Sequence, residues 1–238
     1  QLTQVKRTGY QKLEMTSMIE TKVSHPIAHV VLAHGAGADM NHEFMESMAI
    51  ALNKQNISVL RFNFPYMDKR AQLGKKYPPD RMPKLLECYE EVIEKYIKSI
   101  DSDYQEMPFL IGGKSMGSRV AATLVSSSYE PTMSALPSID GVFCLGYPFH
   151  PAKKPEKLRL EPLQENEKPV IILQGSRDAL GSEDEVGQYS LSSSVQCFFL
   201  IDGDHSLKPR VKSGYSLAEH ITTAAKEIAQ FAKTFVKH

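Results

Sequence analysis

Cysteine is scarce. The 238 residues contain three, Cys88, Cys144 and Cys197, too few and odd in number for a disulfide framework. Cys144 and Cys197 lie inside apolar runs, where a thiol reads as a small buried hydrophobe, so a reducing, cytoplasmic compartment is expected. Long hydrophobic runs are missing as well. No stretch approaches the ~20 residues of a membrane span, and Gln1 to Glu20 carries no signal-peptide core. An excess of either charge is also absent. Lys plus Arg and Asp plus Glu both total 28, which excludes a global pull toward nucleic acid or an anionic membrane. The eight histidines show no metal-ligand spacing such as H-E-x-x-H, so neither a metal nor another cofactor is expected. With no repeat, low-complexity tract or long linker, residues 1–238 read as one domain.

What is present alternates. A hydrophobic fraction of 42% is enough for a substantial core. Ala28 to Ala33 and Ile57 to Phe62 are apolar, β-rich runs, separated by Phe44, Met45, Met48, Ala49 and Leu52 at helical spacing. Leu85, Leu86, Tyr89, Val92, Ile93, Tyr96, Ile97 and Ile100 mark a long amphipathic helix, with Pro83 suited to its first turn. Further strands are expected from Phe109, at Gly141 to Leu145, Val170 to Leu173 and Val195 to Ile201. A last helix repeats Leu217, Ile221, Ala224, Ile228, Phe231 and Phe235, and Ser216-x-x-Glu219 is a capping-box pattern at its start. Strands apolar throughout and separated by helices imply an α/β fold, a mostly parallel, doubly wound sheet flanked by helices. Right-handed crossovers then gather every strand-to-helix turn at one edge, where ligands bind. Pro148 to Lys168, the longest irregular stretch of the later half, is too short for a large lid.

One of those turns carries chemistry. Phe109-Leu-Ile-Gly-Gly113 runs into Lys114-Ser115-Met116-Gly117, a G-x-S-x-G between a strand and a helix. That is the setting of a nucleophile elbow, where a sharp turn exposes a serine hydroxyl beside a helix N-terminus. The rival reading of Gly113-Lys114-Ser115 as the end of a phosphate-binding loop fails, because Pro108 stands where that loop needs glycine. Partners for the serine should follow it in chain order, each just after a strand. Asp178 follows Val170 to Gly175, and His205 follows Val195 to Ile201. Asp202 and Asp204 compete for the acid role but lie too near His205 in sequence to orient it easily from a separate loop. An oxyanion hole is expected from the amides of Ala36 and Met116, with Gly37 as alternative to Ala36, because His34-Gly-Ala-Gly-Ala38 is a small-residue turn.

Other residues follow strands at the same edge. Asn63 and Tyr66 on one side, Tyr147 and His150 on the other, and Gly37 are candidate substrate contacts. Lys69, Arg70, Lys75, Lys76 and Arg81 form a cationic segment that reads as a solvated face.

VLAHGAGA (31–38), NFPY (63–66), PPDR (78–81), GGKSMGSR (112–119), GYPFHP (146–151), QGSRDALG (174–181) and DGDHSL (202–207) together make the chain resemble the α/β-hydrolase superfamily, in its dienelactone-hydrolase-like branch. More narrowly, it resembles a group of small bacterial hydrolases whose eukaryotic relatives include a testis-expressed protein and a subunit of a histone-acetyltransferase complex. The resemblance implies an α/β-hydrolase fold and a Ser-Asp-His triad on Ser115, Asp178 and His205. Ser118 departs from the glycine more usual in that group, and a serine in place of the cysteine of dienelactone hydrolases points away from their substrate. The expectation is a serine hydrolase acting through an acyl-enzyme on a small ester or thioester. The alternative is a catalytically silent domain used as a binding module.

Overall fold

The computed structural model describes residues 15–132, 134 and 138–237. The remaining positions of the expected 1–238 domain lie outside the described residues. Seven strands form one sheet: β1 (Met18–Thr21), β2 (Ala28–Ala33), β3 (Ile57–Phe62), β4 (Phe109–Lys114), β5 (Gly141–Leu145), β6 (Val170–Gly175) and β7 (Val195–Leu200). Their order across the sheet is β1-β3-β2-β4-β5-β6-β7. Six are parallel, and β1 alone runs antiparallel, with Met18 opposite Phe62. Every residue of β2, β3, β5 and β6 is buried, which explains their apolar character on both faces.

Among the described residues, seven α-helices accompany the sheet: α1 (Glu43–Lys54), α2 (Pro65–Leu73), α3 (Met82–Ser99), α4 (Met116–Leu124), α5 (Glu161–Gln164), α6 (Glu183–Val186) and α7 (Leu217–Lys233). Alternation along the strands separates two apolar layers. Val30 and Leu32 face α1 and α7, packing with Met45, Met48, Ile221 and Ile228. Val31 and Ala33 face α3 and α4, packing with Leu86, Tyr89, Val120 and Ala121. The expected caps form. Ser216 and Glu219 exchange side-chain-to-backbone bonds at the start of α7, at 2.7 and 3.2 Å, and Pro83 lies in the first turn of α3. Four elements were not expected from the sequence: the edge strand β1, the polar helix α2 and the four-residue helices α5 and α6, α5 lying inside the stretch read as irregular.

This topology places the site. β4 lies inside the sheet between β2 and β5, so its C-terminal turn is flanked by the turns after β2 and β3 on one side and after β5, β6 and β7 on the other. Between Leu145 and Val170 the chain runs through turns and the four-residue α5, too little to form a lid.

Candidate active site

β4 ends at Lys114 and α4 begins at Met116, so a single residue makes the turn. That residue is Ser115, at φ 52° and ψ −115°. Such a conformation costs a non-glycine residue on the order of 1–3 kcal/mol and persists only where packing enforces it. Here it is enforced by close approach. A Cβ on Gly113 would stand 2.5 Å from the carbonyl carbon of Gly117, and one on Gly117 would stand 2.6 Å from the His34 oxygen. Both positions of the G-x-S-x-G must therefore be glycine. Ser118 fits the turn without strain, donating from Oγ to the Ser115 carbonyl at 2.6 Å.

Ser115 Oγ lies 2.7 Å from His205 Nε2, and His205 Nδ1 lies 2.8 Å from Asp178 Oδ2. Three residues from three separate turns thus form one continuous hydrogen-bonded row. A carboxylate only accepts, so Nδ1 carries the imidazole proton and Nε2 is left to accept from the serine hydroxyl. Asp178 is fully buried, while a quarter of the His205 side chain is exposed; the acid end is closed and the imidazole remains open to a ligand. Asp202 and Asp204 are engaged elsewhere. Asp202 is held by Arg210, which keeps its carboxyl well below the usual range, and Asp204 Oδ1 accepts from the amides of Ser206 and Lys208.

Asp178 has partners that the sequence did not suggest. Buried Gln174 brings Nε2 to 3.0 Å from Asp178 Oδ2 and 3.0 Å from the Gly181 carbonyl, and the Leu180 amide donates to Oδ1 at 2.8 Å. A lone amide side chain directly after the apolar run Val170–Leu173, still within β6, was the available signal.

The turn after β2 lies against the elbow, since a Cβ on Gly35 would be 3.6 Å from that of Ser115. His34 beneath it is fully buried. The Phe64 amide donates to His34 Nε2 at 3.0 Å, which makes Nδ1 the protonated nitrogen, donating to the Gly35 carbonyl at 2.6 Å. Burial pushes the His34 pKa down to about 4, so the ring is neutral at pH 7. Tyr66 Oη lies 2.9 Å from the Ala36 carbonyl and 3.3 Å from that of Gly35. In a trans peptide the N–H points opposite to the carbonyl. Holding these two oxygens therefore turns the amides of Ala36 and Gly37 away from Tyr66. Neither amide has an acceptor among the described residues, nor does that of Met116 at the start of α4.

With this geometry in place, the comparison with known families is direct. A model of the alpha/beta hydrolase domain matches residues 26–233. The chain belongs to that family. Solved structures share the fold at low identity. A dienelactone hydrolase from Anabaena variabilis superposes with a TM-score of 0.66 at 16% identity, over 93% of each chain. An alpha-beta serine hydrolase homologue from Coxiella burnetii gives 0.63 at 15%, covering 92% of this chain and all of that one. A serine hydrolase without lid from Xanthomonas campestris gives 0.62 at 15%, over 90% of this chain and 89% of that one.

Within this α/β-hydrolase frame, four of the expected substrate contacts have hydrogen-bond partners inside the protein. Asn63 accepts from the Met40 amide and donates to Asp68, at 2.9 and 3.1 Å. Tyr66 ties down the turn after β2. Tyr147 donates to the Arg159 carbonyl at 2.8 Å, and His150 bridges the Pro151 carbonyl and Glu185 at 2.9 and 2.7 Å. All four are buried, so their polar groups are already matched inside the protein. Gly37, by contrast, is exposed, with nothing within 4 Å of where its Cβ would be. Among the described residues, no three His, Cys, Asp or Glu side chains gather as a metal site, and no helix is long and apolar enough to cross a membrane.

Proposed function

We propose that this protein is a serine hydrolase that cleaves a small carboxylic ester or thioester through an acyl-enzyme. The observation that carries the reading is the unbroken Ser115–His205–Asp178 row, with spacings of 2.7 and 2.8 Å. In the first half-reaction Ser115 Oγ bonds to the substrate carbonyl carbon as its proton passes to His205 Nε2. Asp178 stabilises the imidazolium and holds its tautomer. The negative charge that develops on the carbonyl oxygen is met by the amides of Met116 and of Ala36 or Gly37; each such donor typically supplies ~3 kcal/mol. The tetrahedral centre then breaks its bond to the leaving oxygen or sulfur, which takes the proton from Nε2. Water repeats the cycle on the acyl-enzyme, giving up a proton to Nε2 and freeing the acid and Ser115. No cofactor enters this chemistry.

The absence of a lid segment between β5 and β6 supports an open site and a small or extended acyl substrate. The motifs around Ser115 and His205 support a place near the dienelactone-hydrolase-like branch, in the group that includes the testis-expressed protein and the acetyltransferase-complex subunit. The test is labelling with a fluorophosphonate probe. Reaction of the wild type, abolished in Ser115→Ala, supports the enzyme; a wild type that takes no label points to the silent binding module. A panel of p-nitrophenyl esters and acyl thioesters then narrows the acyl and leaving groups.

A further inference from the structure

Lys114 immediately precedes Ser115, yet the chemistry above gives it no task. On β4 it has the parity of Leu110, whose side chain packs on the α1–α7 layer. Its Nζ donates to Ser206 Oγ at 3.1 Å and stands 5.1 Å from the centre of the Phe44 ring. Ser206 is the neighbour of His205. One side chain thus ties the residue before the nucleophile to the residue after the base, 92 positions along the chain. The turn that carries His205 is fastened to itself through Asp204 Oδ1 and the amides of Ser206 and Lys208, and to the turn after β6 through Arg177, which donates to the Asp202 and Lys208 carbonyls; Lys114 adds a tie to the residue before the nucleophile.

The charge of Lys114 is also unusual. None of the ion pairs among the described residues includes it. Burial pushes its pKa down, and only the more distant attraction of Asp204 and Asp178 opposes that. Sequestering an ammonium without a contacting carboxylate is unfavourable. A lysine that merely laid its stem across Phe44 would extend its head into water instead.

We propose that Lys114 is a positioning residue, which holds the His205 turn over Ser115 through Ser206. The proposal rests on the reading of Ser115, His205 and Asp178 as a triad. Asp178 orients the His205 ring from the turn after β6, and Lys114 holds the turn that carries it from the side of β4.

The rate of fluorophosphonate labelling of Ser115 tests the clamp without a natural substrate. Ser206→Ala and Lys114→Met each remove the bond between the two turns, so in each labelling slows about tenfold. Lys114→Arg can still donate to Ser206 and restores most of the wild-type rate. If Lys114→Met does not fold, Ser206→Ala and Lys114→Arg still decide the clamp. A wild-type rate in Ser206→Ala overturns the proposal. A wild type that takes no label overturns the triad reading itself, which is a different result from a labelled wild type with silent variants.

Discussion

The hydroxyl of Tyr66, in the first turn of α2, donates to the carbonyl of Ala36, in the turn that lies against the nucleophile, at 2.9 Å. The wall after β3 therefore sets the direction of the amides in the turn that lies against the elbow. Tyr66→Phe removes the hydroxyl that reaches the Ala36 and Gly35 carbonyls and keeps the ring against His34, from which it lies 5.9 Å centre to centre. The expected result is a fall in kcat of about ten- to a hundredfold with KM nearly unchanged, because the amides act on the transition state more than on bound substrate. Steady-state kinetics on any p-nitrophenyl ester that the wild type turns over checks this. A raised KM with normal kcat would assign Tyr66 to substrate binding instead.

His34 gives the fold a pH dependence with a definite sign. Its pKa is about 4 in the folded protein and about 6.5 in an unfolded chain. Above pH 6.5 the ring is neutral in both states and contributes no pH dependence. As pH falls from 6.5 to 4 only the unfolded chain takes up the proton, so stability is lost, by on the order of 3 kcal/mol for this group. His29, also pushed down by burial, acts with the same sign. Urea unfolding of wild type and His34→Gln at pH 7.5, 5.5 and 4.5 isolates the His34 part. The variant is expected to show the shallower loss, and equal slopes would mean that His34 is not buried neutral.

Much of the fold was legible because its signals are local. The mostly apolar runs at 28–33, 57–62, 141–145 and 170–173 read as strands covered on both faces, and the spacing of Leu217 to Phe231 as one face of a helix; Phe235, expected to continue it, lies just past the end of α7. β1 escaped because Met-Ile-Glu-Thr is a half-exposed edge strand with no apolar pattern, identified only by its pairing with β3. α2 escaped because Asp68, Lys69, Arg70 and Gln72 leave it little apolar periodicity. The row of Ser115, His205 and Asp178 was legible through chain order and strand ends. The roles of Asn63, Tyr66, Tyr147 and His150 were not. Whether a polar side chain at a strand end faces a ligand or its own backbone depends on contacts across tens of residues, such as Tyr66 with Ala36.

Asp178 and Gln174 separate orientation from charge. Asp178→Asn keeps the shape but offers His205 Nδ1 a donor in one of its two amide orientations, favouring the wrong tautomer; kcat is expected to fall by about 10⁴. Gln174→Met leaves the carboxylate intact and removes one of the groups that hold it, so a smaller loss of about tenfold is expected. Fluorophosphonate labelling rates on both variants make the comparison. A larger loss in Gln174→Met than in Asp178→Asn would show that placement of the loop outweighs the chemistry of the acid.

Two glycines of the site are expected to respond in opposite ways to the same added methyl group. At Gly113 the new Cβ would lie 2.5 Å from the Gly117 carbonyl carbon and 2.9 Å from the Ala33 oxygen, both backbone atoms inside the sheet and elbow. Neither can move without disturbing the turn that holds Ser115 in its strained conformation. Gly113→Ala should therefore destabilise the protein by about 2 kcal/mol or more and slow labelling of whatever fraction remains folded. At Gly37 nothing lies within 4 Å of the added carbon, so Gly37→Ala should leave the melting temperature nearly unchanged. The same methyl group projects from the exposed turn that lies against the elbow, so it is expected to lower kcat/KM for bulky acyl esters more than for acetate. Thermal melts together with kinetics on acetyl, butyryl and longer p-nitrophenyl esters read both effects. Equal kinetic losses across the acyl series would place Gly37 outside the path of the substrate.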